Sequence, residues 1–112
     1  MNWNALDHIS QLEVINEESK SMPVLLFKHS TRCSISNVAL NRIESSWKDS
    51  DNQLIKPYYL DLLAHREISN QIAEQYGIEH QSPQALVISN GECIYHESHT
   101  NIRYADIMKL AK

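Results

Sequence analysis

Cys33 lies in the run Lys28-His29-Ser30-Thr31-Arg32-Cys33-Ser34-Ile35-Ser36, directly after the apolar stretch Pro23-Val24-Leu25-Leu26-Phe27. The pattern predicts a short buried strand, a turn, and a cysteine that opens a helix. There the free N–H groups of the first turn and the positive end of the helix dipole favour a thiolate. A thiolate is the nucleophile of thiol–disulfide exchange. Lys28, His29 and Arg32 are basic neighbours in the chain, and Ser34 adds a hydroxyl near the sulfur. Ser36 stands one helical turn on, where a dithiol motif has its second cysteine. A hydroxyl there can hydrogen-bond a thiolate but cannot form a disulfide. A first-turn serine also serves simply to satisfy backbone groups. The spacing therefore predicts a one-cysteine redox site. The competing reading is a buried structural cysteine, since free cysteines are among the most buried side chains. The preceding strand and the flanking Ser, Thr and Arg favour the reactive thiol.

Other residue types that carry chemistry form no comparable pattern. Cys93 falls on an expected return strand, as a half-buried and inert thiol. A bridge to Cys33 needs Cα atoms within ~7 Å, and nothing in the sequence suggests that proximity. Six histidines are present, but no Cys₂His₂ or His-x-x-x-His spacing, so surface histidines are expected and no metal site. Two glycines exclude a glycine-rich phosphate loop. Ser30, three residues before Cys33, matches part of a peroxiredoxin motif whose preceding proline is absent. The net charge of −4 argues against a nucleic-acid backbone as the main partner. No apolar run is long enough to span a bilayer. Met1–Asp7 has neither a basic nor an apolar leader region, so the expected location is the cytoplasm, where thiols stay reduced. With 112 residues, 42% hydrophobic and 21% charged, residues 1–112 suit one domain.

The elements that must position Cys33 follow from periodicity and turn chemistry. Trp3–Ile9 is read as a short edge strand. Ser10-Gln11-Leu12-Glu13 has the form of a capping box before a helix over Gln11–Ser19. Val24–His29 reads as a strand buried on both faces. Helix two runs from Cys33 or Ser34 to Lys48, with Val38, Ala39, Leu40, Ile43 and Trp47 as its inner face. A polar loop, Asp49–Asn52, precedes a strand over Ile55–Leu62. Helix three spans His65–Tyr76, with Ile68, Ile72 and Ala73 inward and Gly77 after its end. Ala85–Ser89 and Glu92–His96 flank the hairpin turn Asn90-Gly91. A last helix, Asn101–Lys109, would bury Ile102, Ile107 and Leu110. The order βαβαβαββα implies an α/β fold: a mixed four- to five-stranded sheet with helices on both faces. This resembles the thioredoxin-like arrangement.

Several segments carry a closer likeness: Lys28-His29-Ser30-Thr31, Cys33, Ile35 and Ser36; Ser69-Asn70, Ile72-Ala73 and His80; Ser82-Pro83-Gln84, Asn90-Gly91, Ser98-His99 and Asn101-Ile102. The chain resembles the monothiol bacilliredoxins of YtxJ type, found in bacteria that use bacillithiol in place of glutathione. One departure is clear. The family commonly has Thr-Cys-Pro-Ile-Ser, whereas this chain has Arg32-Cys33-Ser34-Ile35-Ser36. The resemblance implies a thioredoxin-like fold, a cis Ser82–Pro83 bond, and a substrate groove of Thr31, Ser82, Pro83 and Gln84. It implies a monothiol oxidoreductase that removes bacillithiol from protein mixed disulfides through Cys33, with Lys28, Arg32, Ser34 and Ser36 assisting the thiolate. Bacillithiol would be co-substrate and no cofactor would be bound. The partners would be bacillithiol and bacillithiolated proteins, with the chain a monomer. The malate carboxylates of bacillithiol would prefer Lys28 or Arg32. Two rivals remain: a non-catalytic thioredoxin-like module that docks partners at the Pro83 loop, and an iron–sulfur carrier in the manner of monothiol glutaredoxins.

Overall fold

In the computed structural model, which describes residues 1–111, nine regular elements follow the expected order. They are β1 (Asn4–Ala5), α1 (Gln11–Glu18), β2 (Val24–His29), α2 (Ser34–Ser46), β3 (Lys56–Asp61), α3 (Arg66–Tyr76), β4 (Gln84–Ser89), β5 (Glu92–Ser98) and α4 (Tyr104–Met108). Short 3₁₀ turns lie at Asp49–Gln53 and His99–Asn101. The five strands form one sheet in the order β1-β3-β2-β4-β5. β3 pairs parallel with β1 and β2, and β4 pairs antiparallel with β2 and β5.

β2 is the centre of the molecule, and all six of its residues are buried. Strand alternation divides them between two layers. Val24 and Leu26 join Leu12 and Ile15 of α1 and Ile68 and Ile72 of α3. Leu25 and Phe27 join Ala39 and Ile43 of α2 and Ile107 of α4. Both sheet faces are therefore covered, which is why β2 reads as an uninterrupted apolar run. Gly77 ends α3 with φ +67°, and Asn90 and Gly91, at φ 51° and 76°, form the two-residue turn between β4 and β5. Both turns need left-handed backbone that Gly and Asn adopt at low cost.

Some expectations need correction. The Ser10 capping box does not form, because Ser10 already has helical dihedrals and its side chain caps nothing. Gln11 takes that role instead: its Oε1 accepts the N–H groups of Asp7 and His8. The loop after α2 is a 3₁₀ turn organised by a buried acid. Asp51 accepts the Lys48 N–H and the Tyr104 hydroxyl on Oδ2. Trp47 lies just past the helix, with Nε1 donating to Asn52. Val38 is 55% exposed rather than part of the inner face. The last helix is shorter than expected. Ile102 and Arg103 are extended, which sends Ile102 into the core and delays α4 until Tyr104.

Candidate functional site

β2 ends at His29, and four residues separate it from the start of α2 at Ser34. Cys33 is the last residue before that helix, with φ −108° and ψ 121°. Its N–H donates to Ser30 O at 3.1 Å, closing the turn, and its own carbonyl accepts the Asn37 N–H at 3.1 Å. The N–H groups of Ser34, Ile35 and Ser36 therefore precede the first intrahelical bond. They are the donors that a thiolate at Cys33 can use. Cys33 is a free, half-buried thiol, with Thr31, Arg32 and Ser34 exposed around it.

Ser36 takes the plainer of its two expected roles. It is fully buried, and its Oγ accepts the Ser30 N–H at 3.1 Å. The same oxygen lies 2.6 Å from His29 Nδ1. The hydroxyl can serve both contacts, since it has one O–H and two lone pairs. Burial holds His29 below the usual histidine range, so its ring is neutral and not a cation at the start of α2. The ring also lies against Tyr59, 5.6 Å between centroids. The Ser36–His29 pair thus ties the start of α2 to the end of β2. It was missed in the sequence because it depends on where a strand end meets a helical turn.

The Ser82–Pro83 bond is cis, as expected. Pro83 is buried, and its carbonyl accepts the His99 N–H at 3.0 Å, tying this loop to the 3₁₀ turn beside α2. The Ser82 hydroxyl is buried and has no hydrogen-bond partner.

Lys28 and Gln84 do not belong to the Cys33 surface. Lys28 follows Phe27 on β2, so alternation turns it into the α1/α3 layer, away from α2. It is fully buried, with Nζ donating to Ser69 O at 3.2 Å and lying 3.3 Å from His80 Nδ1. Burial pushes its pKa down to about 8. Gln84 pairs with Lys28 across β2 and β4 and is buried in the same layer. Its Nε2 donates to Glu79 O, which leaves Oε1 unpartnered. Neither side chain can line an open groove or receive a ligand carboxylate. Of the expected charged partners only Arg32 is exposed near the sulfur.

A profile of the family described as monothiol bacilliredoxin BrxC matches residues 4–107. The chain belongs to the monothiol bacilliredoxin family. Among solved structures it is similar to one described as a candidate oxidoreductase with a thioredoxin fold: 31% identity, 95% of this chain and 90% of the other covered, TM-score 0.81. Thioredoxin from Fasciola hepatica superposes with TM-score 0.70 at 15% identity, covering 95% and 93% of the two chains. Thioredoxin O2 from Arabidopsis thaliana gives 0.72 at 14%, covering 98% and 95%. These last two likenesses show the fold alone.

In this bacilliredoxin the second cysteine belongs to another element and another environment. Cys93 lies on β5, packs against the α1/α3 core, and has Sγ 3.2 Å from Tyr95 O. Burial pushes its thiol pKa up. Among the described residues no three His, Cys, Asp or Glu side chains converge as metal ligands. One feature beside Cys33 was absent from the sequence reading. Ser34, Ile35, Val38 and Arg42 of α2, with His99 and Thr100, line an open groove of about 200 Å³. The signal was the spacing 35, 38, 39 and 42, a helix face that borders the buried one at Ala39 and Ile43.

Proposed function

We propose that this bacilliredoxin removes bacillithiol from protein mixed disulfides, with Cys33 as its only essential thiol. The observation that carries the proposal is the Cys33 turn. A free thiol caps α2 beside unpaired first-turn amides, while the position one turn on holds a serine locked to His29 and Ser30. Such a site can accept one thiol group but cannot close an internal disulfide.

The Cys33 thiolate attacks the bacillithiol sulfur of the mixed disulfide. A Cys33–bacillithiol bond forms, the target's sulfur leaves as a thiolate, and it takes a proton from solvent. A second bacillithiol thiolate then attacks the bacillithiol sulfur held on Cys33. Bacillithiol disulfide leaves and Cys33 returns as the thiolate, so two electrons pass from bacillithiol to the target disulfide. The helix N-terminus favours Cys33 as nucleophile in the first step and as leaving group in the second.

The test is Cys33→Ser, assayed for release of bacillithiol from a bacillithiolated protein. Activity should fall to the uncatalysed level. Undiminished release would reject the reading, and so would a loss on Cys93→Ser equal to that of Cys33→Ser.

A further inference from the structure

Lys28 is fully buried on the central strand, and among the described residues no carboxylate pairs with it. Burying such an amine costs stability, so its place calls for a reason other than folding. Its surroundings are nonetheless ordered. Nζ donates to the Ser69 carbonyl of α3 and lies 3.3 Å from His80 Nδ1. The Ser69 hydroxyl is 3.2 Å from the same ring nitrogen. His80 is therefore tied to β2 through Lys28 and to α3 through Ser69.

His80 and Gln84 bracket the short segment that holds the cis Ser82–Pro83 bond. Gln84 closes it from the other end, with Nε2 donating to the Glu79 carbonyl at 3.0 Å. Gln84 also pairs with Lys28 across β2 and β4. That register sets Pro83 level with His29, at the end of the strand pair from which the Cys33 turn departs. Among the described residues, Lys28 alone joins this loop to β2 by a side-chain hydrogen bond. Between the two ties the backbone of Ser82 is free. Its N–H and C=O pair with no backbone group among the described residues. Such groups can receive an extended peptide by strand addition.

We propose that Lys28 is a positioning residue for the exchange: through His80 it holds the Glu79–Gln84 loop so that Ser82 and Pro83 dock the target protein beside Cys33. This rests on the reading of Cys33 as the thiol that takes bacillithiol from the target. Lys28 itself touches neither the thiol nor the target. The target takes part only in the first step, and the second bacillithiol enters after it has left. In such a ping-pong sequence each substrate has its own kcat/KM. A small thiol has no polypeptide to lay along the loop, so a loosened loop weakens the target's step alone.

The experiment compares wild type with Lys28→Met, varying a bacillithiolated protein and free bacillithiol in turn. In the variant, kcat/KM for the bacillithiolated protein should fall about tenfold, as expected when a docking loop is misplaced. Its kcat/KM for bacillithiol, and the rate at which iodoacetamide alkylates Cys33, should stay near wild type. His80→Asn keeps an acceptor near the place of Nδ1 and should also stay near wild type. His80→Leu lacks that acceptor and should match Lys28→Met. The two His80 variants decide the matter if Lys28→Met does not fold. Full activity on the bacillithiolated protein in a folded Lys28→Met, or in His80→Leu, would overturn the role. So would an equal fall for both substrates, slower alkylation of Cys33, or His80→Asn as impaired as His80→Leu. Wild type that releases no bacillithiol would overturn the Cys33 reading and this role with it. Wild type that releases it, with variants that do so equally well, would overturn the positioning role alone.

Discussion

Ser36 and Cys33 share one helical turn but do different work, and single-atom changes separate them. Ser36→Ala deletes the acceptor for the Ser30 N–H and the partner of His29 Nδ1. Leaving these groups unsatisfied near the core should cost about 1–3 kcal/mol of stability, read from denaturant midpoints. Alkylation of Cys33 in the folded variant should proceed at nearly the wild-type rate, because the Ser36 hydroxyl is engaged by His29 and Ser30. A large drop in that rate would mean that the hydroxyl serves the thiolate. The two cysteines should also label unequally. At neutral pH a thiol reagent should modify Cys33 first, since burial pushes the Cys93 thiol up and Tyr95 O occupies it. Mass mapping of partly alkylated protein decides this, and faster labelling at Cys93 would contradict it. The places of Cys33 and Ser36 in the fold were legible because their signals are local, a cysteine after a strand and a serine one turn on, whereas the cis Ser82–Pro83 bond was legible only through the family resemblance. Lys28 and Gln84 were misplaced because chain proximity to Cys33 and Pro83 was read as spatial proximity. On a strand, alternate residues serve opposite faces.

The start of α2 is the element on which the site depends, and its sequence leaves it weaker than it need be. Ser34 is the first helical residue, where a proline's missing N–H breaks no intrahelical bond and its fixed φ suits the helix. Cys33 before it is already extended, which is the conformation that a following proline demands. Ser34→Pro should therefore stabilise the fold by about 0.5–1 kcal/mol, chiefly by restricting the unfolded chain. Chemical denaturation measures it, and a destabilised variant would show that the Ser34 N–H or hydroxyl holds the turn. Strong local signals made most elements readable. The uninterrupted β2 run, the Asn90-Gly91 turn and the Gly77 helix end all match the structure. The failures share one cause, which is that a distant contact decides the local conformation. Asp51 organises its 3₁₀ turn partly through Tyr104, far along the chain. Ile102 stays extended because the α2/α4 core takes its side chain. Val38 has the spacing of a core residue, yet it faces the groove because Ala39 and Ile43 already fill the inner face.

At the scale of the whole molecule, one sheet separates two cores, and the chemistry stands at the edge of only one of them. Cys33, Ser36 and His29 belong with the α2/α4 layer. The α1/α3 layer instead holds a buried lysine, and the pH dependence of stability should report it. Lys28 has its pKa pushed down by burial from the usual 10.5 to about 8. Below about pH 8 it is charged in both folded and unfolded chains, and the cost of burying the charge is felt in full. Between the two values the unfolded chain binds the proton that the folded chain has released. Stability therefore rises with pH across that window. The gain should be on the order of 3 kcal/mol at most, the free energy equivalent of the shift. Lys28→Met keeps the length of the side chain and removes the charge. Ser69 O retains its place in the α3 helix, and His80 Nδ1 keeps the Ser69 hydroxyl at 3.2 Å. The variant should match or exceed wild type in stability at pH 7. The difference should close as the pH approaches 10, where wild-type Lys28 is neutral when folded. Urea unfolding of both proteins from pH 7 to 10 provides the comparison. A variant clearly less stable at pH 7, or a difference that does not change with pH, would mean that the lysine is held charged by interactions stronger than its burial penalty.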